Sequence, residues 1–327
     1  MPKVLHVGPC ESPGGMANVM RILAEHPPEG WQAELLSSHV NGSPWAKWRA
    51  YRTARKTLIQ MLNDETQRPD IVHLHTAADW SWWRKRRFAQ LAHRAGVPNI
   101  VHIHSGQFDT WLKSSSSQTK KFQKDITAFS SHIVVLSESW RRILEKLIGT
   151  TTVIQNPLDP DLSTDLNTVR NPNKILFLGR NDEIKGGDFA QKLVEELRRS
   201  KPELFLVMSG VKTSVHPWVQ ALGWVTDREK REHLCTASLL LVPSKYEGQP
   251  MVVLEALALE TPVLISDKIH SLPEEIPRAR FEDIEDWKNQ AGAIFTSKPK
   301  GNKEILGDYS LSVLREKWRI FYQSLLN

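Results

Sequence analysis

Residues 240–266 read LLVPSKYEGQPMVVLEALALETPVLIS. The apolar run Ala237 to Val242, closed by Pro243, has the length and β-rich end of a buried strand, and the loop Ser244-Lys245-Tyr246-Glu247-Gly248-Gln249 follows it. Pro250 suits the first position of a helix, because the donor that proline lacks has no partner in the first turn anyway. From Met251 to Leu259 that helix is apolar on every side except at Glu255. A carboxylate among Val252, Val253, Leu254, Ala256, Leu257 and Ala258 is costly unless something compensates its lost hydration. The unpaired N–H groups at Met251 and Val252 make an anion site at the carboxyl end of a strand, where open α/β sheets bind ligands. A phosphate suits that place. Glu247 and Glu255 would flank it, one taking sugar hydroxyls and the other ribose hydroxyls, and Thr261 to Ser266 forms the next strand. Strand, loop, helix and strand in this order predict an α/β chain with a parallel sheet.

The same pattern extends upstream. Lys174 to Arg180 reads as a strand ending in Gly-Arg, Asn181 to Asp188 as a loop, and Phe189 to Ser200 as a helix. The Arg180 guanidinium and Lys185 ammonium, five residues apart across a strand-end loop, are suited to hold a diphosphate between them. Leu204 to Gly210 and Val219 to Thr226 supply further strands, and Asp227 opens a helix over 228–236.

The first half begins another βα series. Lys3 to Gly8 is a strand, Pro9 to Gly15 a loop ending in the pair Gly14-Gly15, and Met16 to Ala24 a helix, an order that cradles phosphates. It is no G-x-G-x-x-G, so a dinucleotide is not expected. Residues 69–75 and 99–106 are strands with a helix over 86–95 between them, and each carries H-x-H: His73 and His75, His102 and His104. Alternate residues of a strand face one way, and these pairs lack the carboxylate or thiolate company usual for zinc, so no metal site is expected. Read singly, each histidine is a core or strand-end residue. A strand over 132–137 and a helix over 138–148 lead to Thr152-Val153-Ile154-Gln155-Asn156-Pro157 and then Asp159-x-Asp161.

At 327 residues the chain is long for one core and comfortable for two. No apolar run approaches membrane-spanning length, the start lacks a signal-peptide core, and Cys10 and Cys235 read as free thiols. These features place it in the cytosol. The net charge of +6 is uneven: residues 1–158 hold 20 Lys/Arg against 12 Asp/Glu, whereas residues 159–327 hold 23 against 25. Basic segments alternate with tryptophan at Trp45 to Lys56 and Trp80 to Arg87, and a third basic segment holds Lys113, Lys120, Lys121 and Lys124. These suit contact with an anionic membrane at the inner face. Solvated helix faces with tryptophans packed inward explain them equally well.

Glu247 and Glu255 together have E-x7-E spacing, framed by P-S-x-x-E-G, an apolar helix and T-P-V. This frame resembles the retaining glycosyltransferases of family 4, the group 1 glycosyltransferases, which have the GT-B fold. The resemblance implies two Rossmann-like doubly wound domains facing across a cleft. An acceptor-binding domain would span residues 1–158, a nucleotide-sugar domain residues 159–308, and a helix over 309–327 would cross back to the first. It implies transfer of a sugar from a nucleotide-diphosphate sugar to a glycan or lipid-linked hydroxyl, without metal or other cofactor. In the family's pattern Gly14 and Gly15 admit the donor's diphosphate or sugar, His104 bonds a sugar hydroxyl, and Arg180 and Lys185 neutralise the leaving diphosphate. Glu247, Gly248, Gln249, Pro250, Met251, Val252 and Glu255 complete the donor site, while His73 and His75 line the acceptor side. The chain departs from the pattern at Leu259-Glu260, where Cys-Gly is usual, and at Lys268 to Ser271, where Gly-Gly is usual. A nucleotide-sugar epimerase of similar architecture and a basic nucleic-acid-binding protein are the rival readings, and E-x7-E with Arg180 and Lys185 argues against nucleic acid.

Overall fold

A computed structural model of the chain describes residues 1–12, 14–162, 169–180, 182–297 and 303–327. It divides into two compact units, Met1–Pro157 with Asp308–Asn327, and Leu158–Gly307. Each is a six-stranded, wholly parallel sheet with helices.

The first unit alternates strand and helix: β1 (Lys3–Gly8), α1 (Gly15–Glu25), β2 (Gln32–Ser37), α2 (Pro44–Asn63), β3 (Ile71–Thr76), α3 (Trp80–Arg94), β4 (Asn99–Ile103), α4 (Phe108–Lys113), α5 (Ser116–Ala128), β5 (Ser131–Val135), α6 (Glu138–Ile148) and β6 (Thr152–Val153). Strand order is β2-β1-β3-β4-β5-β6. The second unit holds β7 (Asn171–Phe177), α7 (Gly187–Arg198), β8 (Phe205–Met208), β9 (Val219–Ala221), α8 (Asp227–Thr236), β10 (Ala237–Val242), α9 (Met251–Ala258), β11 (Val263–Ser266), β12 (Arg278–Ala279) and α10 (Ile284–Ser297). Its order is β12-β11-β10-β7-β8-β9. The last helix, α11 (Leu311–Leu326), belongs to the first unit.

Local chemistry explains the starts of these helices. Ser43 caps α2 by accepting from the Ala46 amide, with Pro44 at the first position, and Thr226 and Glu229 form a reciprocal capping box on α8. Pro250 stands one residue earlier than expected, as the cap of α9 and not its first helical residue. Helix α3 begins at Trp80, six residues before the expected start, because Trp82 turns into the core against Phe122. Trp82 therefore drops out of the proposed interfacial cluster. The short α4 and α5, and α10, fall in segments to which no helix was assigned.

Strand alternation gives the first sheet two unlike faces. Leu5, Val7, Val72, Leu74, Val101 and Ile103 point into an apolar core with Leu58, Phe88, Phe122 and Leu144 from the helices. On the opposite face stand His6, His73, His75 and His102, all buried, with His73 paired in register to His6 and His102 to His75. Helix α11 contributes Leu314, Trp318 and Tyr322, a stripe at four-residue spacing. Trp318 lies 4.7 Å from the His73 ring and 5.4 Å from that of His102, and the Tyr322 hydroxyl is hydrogen-bonded to His73 Nδ1 at 2.8 Å.

The histidines hydrogen-bond to one another, although the buried Nε2 of His102 has no partner. His6 Nδ1 meets His75 Nε2 at 2.9 Å, His75 Nδ1 meets His104 Nε2 at 2.9 Å, and His73 Nε2 meets His102 Nδ1 at 3.1 Å. Each such bond needs an N–H of one ring to donate and an unprotonated nitrogen of the other, neutral ring to accept. Burial accordingly pushes His6 and His104 down to about 3. Burial and the neighbouring rings hold His73, His75 and His102 well below the ordinary imidazole range.

A folded-state value below that of the unfolded chain means that the stabilisation is fully present above about pH 6.5 and is lost as pH falls towards 3. Urea unfolding should therefore give a flat stability between about pH 7 and 8 and a decline below about pH 6.5, by up to ~1.4 kcal/mol per pH unit for each ring that stays neutral. A stability independent of pH from 7 to 5 would contradict the buried neutral array.

Candidate functional site

In the second sheet the chain leaves β7 towards β8 and β9, and leaves β10 in the opposite direction towards β11 and β12. The gap beyond the carboxyl ends of β7 and β10 is thus the topological switch point, the place where doubly wound sheets bind ligands. The loops that follow these two strands carry Arg180 and Lys185 on one side and Glu247 on the other. They are joined by backbone, since the Lys245 amide donates to the Ile184 carbonyl at 2.8 Å. Gly186 has φ of +74°, and a Cβ there would come within 2.9 Å of the Pro243 carbonyl oxygen. Only glycine allows that approach at that backbone angle.

Lys185 Nζ donates to Glu247 Oε1 at 2.6 Å, both side chains being mostly shielded. The Lys185 amide is fixed by Asp182 Oδ1 at 3.0 Å. Arg180 lies nearer the surface, its side chain two-thirds exposed and its Nε 3.1 Å from Asp182 Oδ2. Asn181, in the same loop, lies outside the described residues. The first turn of α9 presents the amides that no helical carbonyl reaches, flanked by buried Gly248, Gln249 and Pro250, the buried Met251 side chain and half-buried Val252.

Glu255 is buried on α9 and accepts from Lys230 Nζ at 2.8 Å. The same ammonium reaches Asp227 at 3.2 Å. Burial alone would lower the Lys230 value, but the two carboxylates outweigh it and the net shift is upward. Before any ligand arrives, then, a lysine of α8 supplies the compensation that the sequence reading sought in a ligand. The alternative reading of Glu255, a helix residue satisfied by a neighbouring arginine or lysine, is met by Lys230; the Asp227 to Lys230 spacing marks a helical ion pair, but nothing in linear order carries it to α9, 25 residues away. The two glutamates are thus held by different lysines, Glu247 by Lys185 and Glu255 by Lys230.

In the first unit Gly14 caps α1 with φ 135° and ψ 166°, a conformation open essentially to glycine, and the helix starts at Gly15. Pro13, in the same loop, lies outside the described residues. His104 follows β4, half-buried; its amide donates to the Thr76 carbonyl at 2.8 Å and its Nε2 is fixed by His75. His73 and His75 do not line a surface as expected: both are wholly buried in the array beneath α11. His6, His73 and His75 bring three ligating nitrogens within 4.8 Å of one another, as do His75, His102 and His104, so these groups could hold a metal if it displaced their mutual hydrogen bonds. In the linker, Asp159 Oδ1 accepts from the Asp161 amide at 3.0 Å, closing a local turn.

Family models match in tandem, Glycosyltransferase Family 4 over residues 14–162 and Glycosyl transferases group 1 over residues 160–294. The chain belongs to the group 1 glycosyltransferases. Among its relatives, a Bacillus subtilis protein named as the teichuronic acid biosynthesis glycosyltransferase TuaC is 23% identical over 236 residues, 68% of this chain and 59% of that protein. A glycogen synthase of Mycobacterium tuberculosis is 27% identical over 243 residues, 67% of this chain and 57% of that protein. The chain thus spans somewhat under two thirds of the length of these curated relatives. By structure it is similar to Anabaena HepE, solved in complex with UDP and glucose, with a TM-score of 0.75, 13% identity and coverage of 99% of this chain and 100% of that one. Sucrose-phosphate synthase from Thermosynechococcus elongatus gives 0.74, 15% identity and 99% of each chain. The fold is GT-B.

Removing Lys230 strands a buried carboxylate. Lys230→Met should destabilise the second unit by about 3 kcal/mol, and adding Glu255→Gln to that variant should recover most of the loss, because the amide no longer needs a counter-ion. Urea unfolding of wild type, single and double variants measures both; equal stabilities for the two variants would show the pair to be incidental.

Proposed function

We propose that this glycosyltransferase moves a sugar from a nucleotide-diphosphate sugar to a hydroxyl of a glycan or lipid-linked acceptor, with retained anomeric configuration and without a metal. The observation that carries the reading is the Lys185–Glu247 ion pair at the switch point, beside the start of α9. In this reading Lys185 shifts from Glu247 onto the diphosphate as it binds. Arg180 and the α9 amides at Met251 and Val252 share the charge that builds on the leaving group, where fixed positive groups lower a barrier most. A cation pair and a helix start supply the neutralisation that a divalent ion supplies elsewhere, which is why no metal is invoked. Glu255, paired with Lys230, accepts from the two ribose hydroxyls, and Glu247, freed of its lysine, accepts from hydroxyls of the sugar. With no side chain nominated as a nucleophile, retention follows from attack on the face that the phosphate leaves.

For Gly14, Gly15 and His104 the proposed roles, approach to the donor phosphates and a hydrogen bond to a sugar hydroxyl, rest on family resemblance; the neutral His104 ring is suited to that bond. UDP is the first nucleotide to try, since HepE was solved with UDP and glucose. The expected test is a thermal-shift comparison of UDP-, GDP-, ADP- and TDP-sugars. A ligand at a hundred times its Kd should add about 2.7 kcal/mol of stability, and Lys185→Ala and Glu255→Ala should each abolish the shift. Shifts unchanged in both variants would sink the donor-site assignment.

We also propose that the enzyme works at the inner face of a membrane. No helix among the described residues is long and apolar enough to cross one, so contact would be peripheral. Support comes from α2, where Trp45 and Trp48 are exposed and stacked at 4.8 Å, with the Arg52 guanidinium 4.7 Å over Trp48. Trp80, 72% exposed, begins α3. Such rings beside cations bind at the interface of anionic bilayers. Co-sedimentation with phosphatidylglycerol vesicles should exceed that with phosphatidylcholine, and Trp45→Ala with Trp48→Ala should lower it several-fold; equal partitioning to both lipids would refute the docking.

A further inference from the structure

At the carboxyl edge of the first sheet, positive groups gather without a carboxylate to answer them. Lys85, on α3, is 1% exposed, and its Nζ donates to Ser38 Oγ at 2.7 Å. Ser38 follows β2, and its amide and hydroxyl donate in turn to the carbonyl of Gly8, the last residue of β1. An ammonium has three donors, and one neutral hydroxyl is a poor return for burying it. The adjacent Arg84 is half-buried, and its Nε, shut off from solvent, has no hydrogen-bond partner. His39, one residue beyond Ser38, has a buried Nδ1 that is likewise unpartnered. Among the described residues no carboxylate forms an ion pair with Arg84 or Lys85.

Other shielded cations among the described residues find more: buried Lys174 donates to Thr236 Oγ1 at 2.6 Å and meets His233 Nδ1 at 2.9 Å. Arg86 pairs with Asp125 at 2.7 Å, Lys185 with Glu247, Lys230 with Glu255, and Arg170 spends its guanidinium on four carbonyls and a threonine hydroxyl. The groups around Ser38 share one neighbourhood electrically. Burial, then Arg84, Lys47 and Lys85, push His39 down to about 4, and burial followed by Arg84 pushes Lys85 down to about 7. A buried charge persists when something compensates it.

We infer that Lys85, Arg84 and His39 form a binding site for a phosphate group, held where β1 and β2 end, and that this phosphate is carried by the acceptor substrate. The strand order β2-β1-β3 puts the switch point of this sheet beside β1, so the site lies along the ligand-binding edge. The guanidinium offers a planar fork, the ammonium a point charge with two spare donors, and the imidazole a further donor, together matching the oxygens of a phosphate mono- or diester. That the ligand is an acceptor rests on the glycosyltransferase reading above; the phosphate site itself does not.

The test uses the full chain carrying Lys185→Ala, so that phosphate binding in the second unit does not interfere, at about 150 mM salt to screen diffuse attraction. Calorimetric titration with inorganic phosphate and with glycerol 1-phosphate, and co-sedimentation with phosphatidylcholine vesicles with and without phosphatidic acid, serve as probes. Saturable binding of a soluble phosphate, or binding that requires phosphatidic acid, supports the site and separates a soluble from a lipid-borne source. Either should weaken about tenfold or more on Lys85→Met or Arg84→Gln. Arg84→Gln, half-buried, guards against a Lys85 variant that fails to fold, with circular dichroism as the check. Binding unchanged in Arg84→Gln and in folded Lys85→Met, or absent with every probe, overturns the inference. The UDP-sugar shift of the wild-type chain is measured separately, so loss of the donor reading and loss of the phosphate site give different results.

Discussion

The second unit depends on how its sheet handles charge at one edge. Between β7 and β10 the chain changes direction, and the two loops that meet there bring an ammonium to 2.6 Å from a carboxylate. Glycine at position 186 lets one loop lie on the Pro243 carbonyl of the other, so the pair is held by backbone contact and not by two mobile side chains alone. A shielded ion pair of this kind adds little net stability, because desolvation offsets much of the attraction. In the proposed reaction its use is preorganisation. A lysine shielded before an anion arrives has already lost much of its hydration, so less solvent would reorganise as charge develops.

The first unit handles charge differently. Its sheet has one ordinary apolar face and one face of neutral imidazoles roofed by Trp318 and Tyr322 of α11. The rings hydrogen-bond in short chains, and one chain ends at His104, which is half-buried at the carboxyl edge of β4. The side chain of the histidine assigned to the sugar is thereby oriented by a buried neighbour on β3, as second-layer partners orient metal-binding and catalytic imidazoles elsewhere. Along the same edge Lys85 and Arg84 leave positive charge unanswered. The unit therefore offers a neutral hydrogen-bonding ring and a cluster of cations at the ends of its strands, a combination suited to sugars and to phosphate.

Much of this was legible in the residues themselves. The apolar runs at β3, β4, β7 and β10 are buried on both faces, so they stand out from their surroundings, and the glutamate frame marks the loop and helix that follow β10. The tryptophans were harder. Trp45 and Trp48 face outward, whereas Trp82 fills the core, and the helical period that separates them depends on a start six residues earlier than the local pattern suggested. Lys85 looked like one more base in a cationic run, because burial is a property of the neighbours that fold over a residue and not of its own segment.

Sequence alone determined the class of fold, the tandem βα organisation, the two E-x7-E glutamates with the Arg180 and Lys185 loop, and the family. These are carried by hydrophobic period, by glycine and proline at fixed places, and by residue types whose spacing along the chain mirrors their chemistry. Tertiary structure alone decided which partners those residues keep. Lys230 reaches Glu255, Tyr322 reaches His73 across 249 positions, and Lys85 meets Ser38. Each of these contacts joins separate elements, and its energy comes from desolvating a polar group against a particular neighbour, which linear order does not specify.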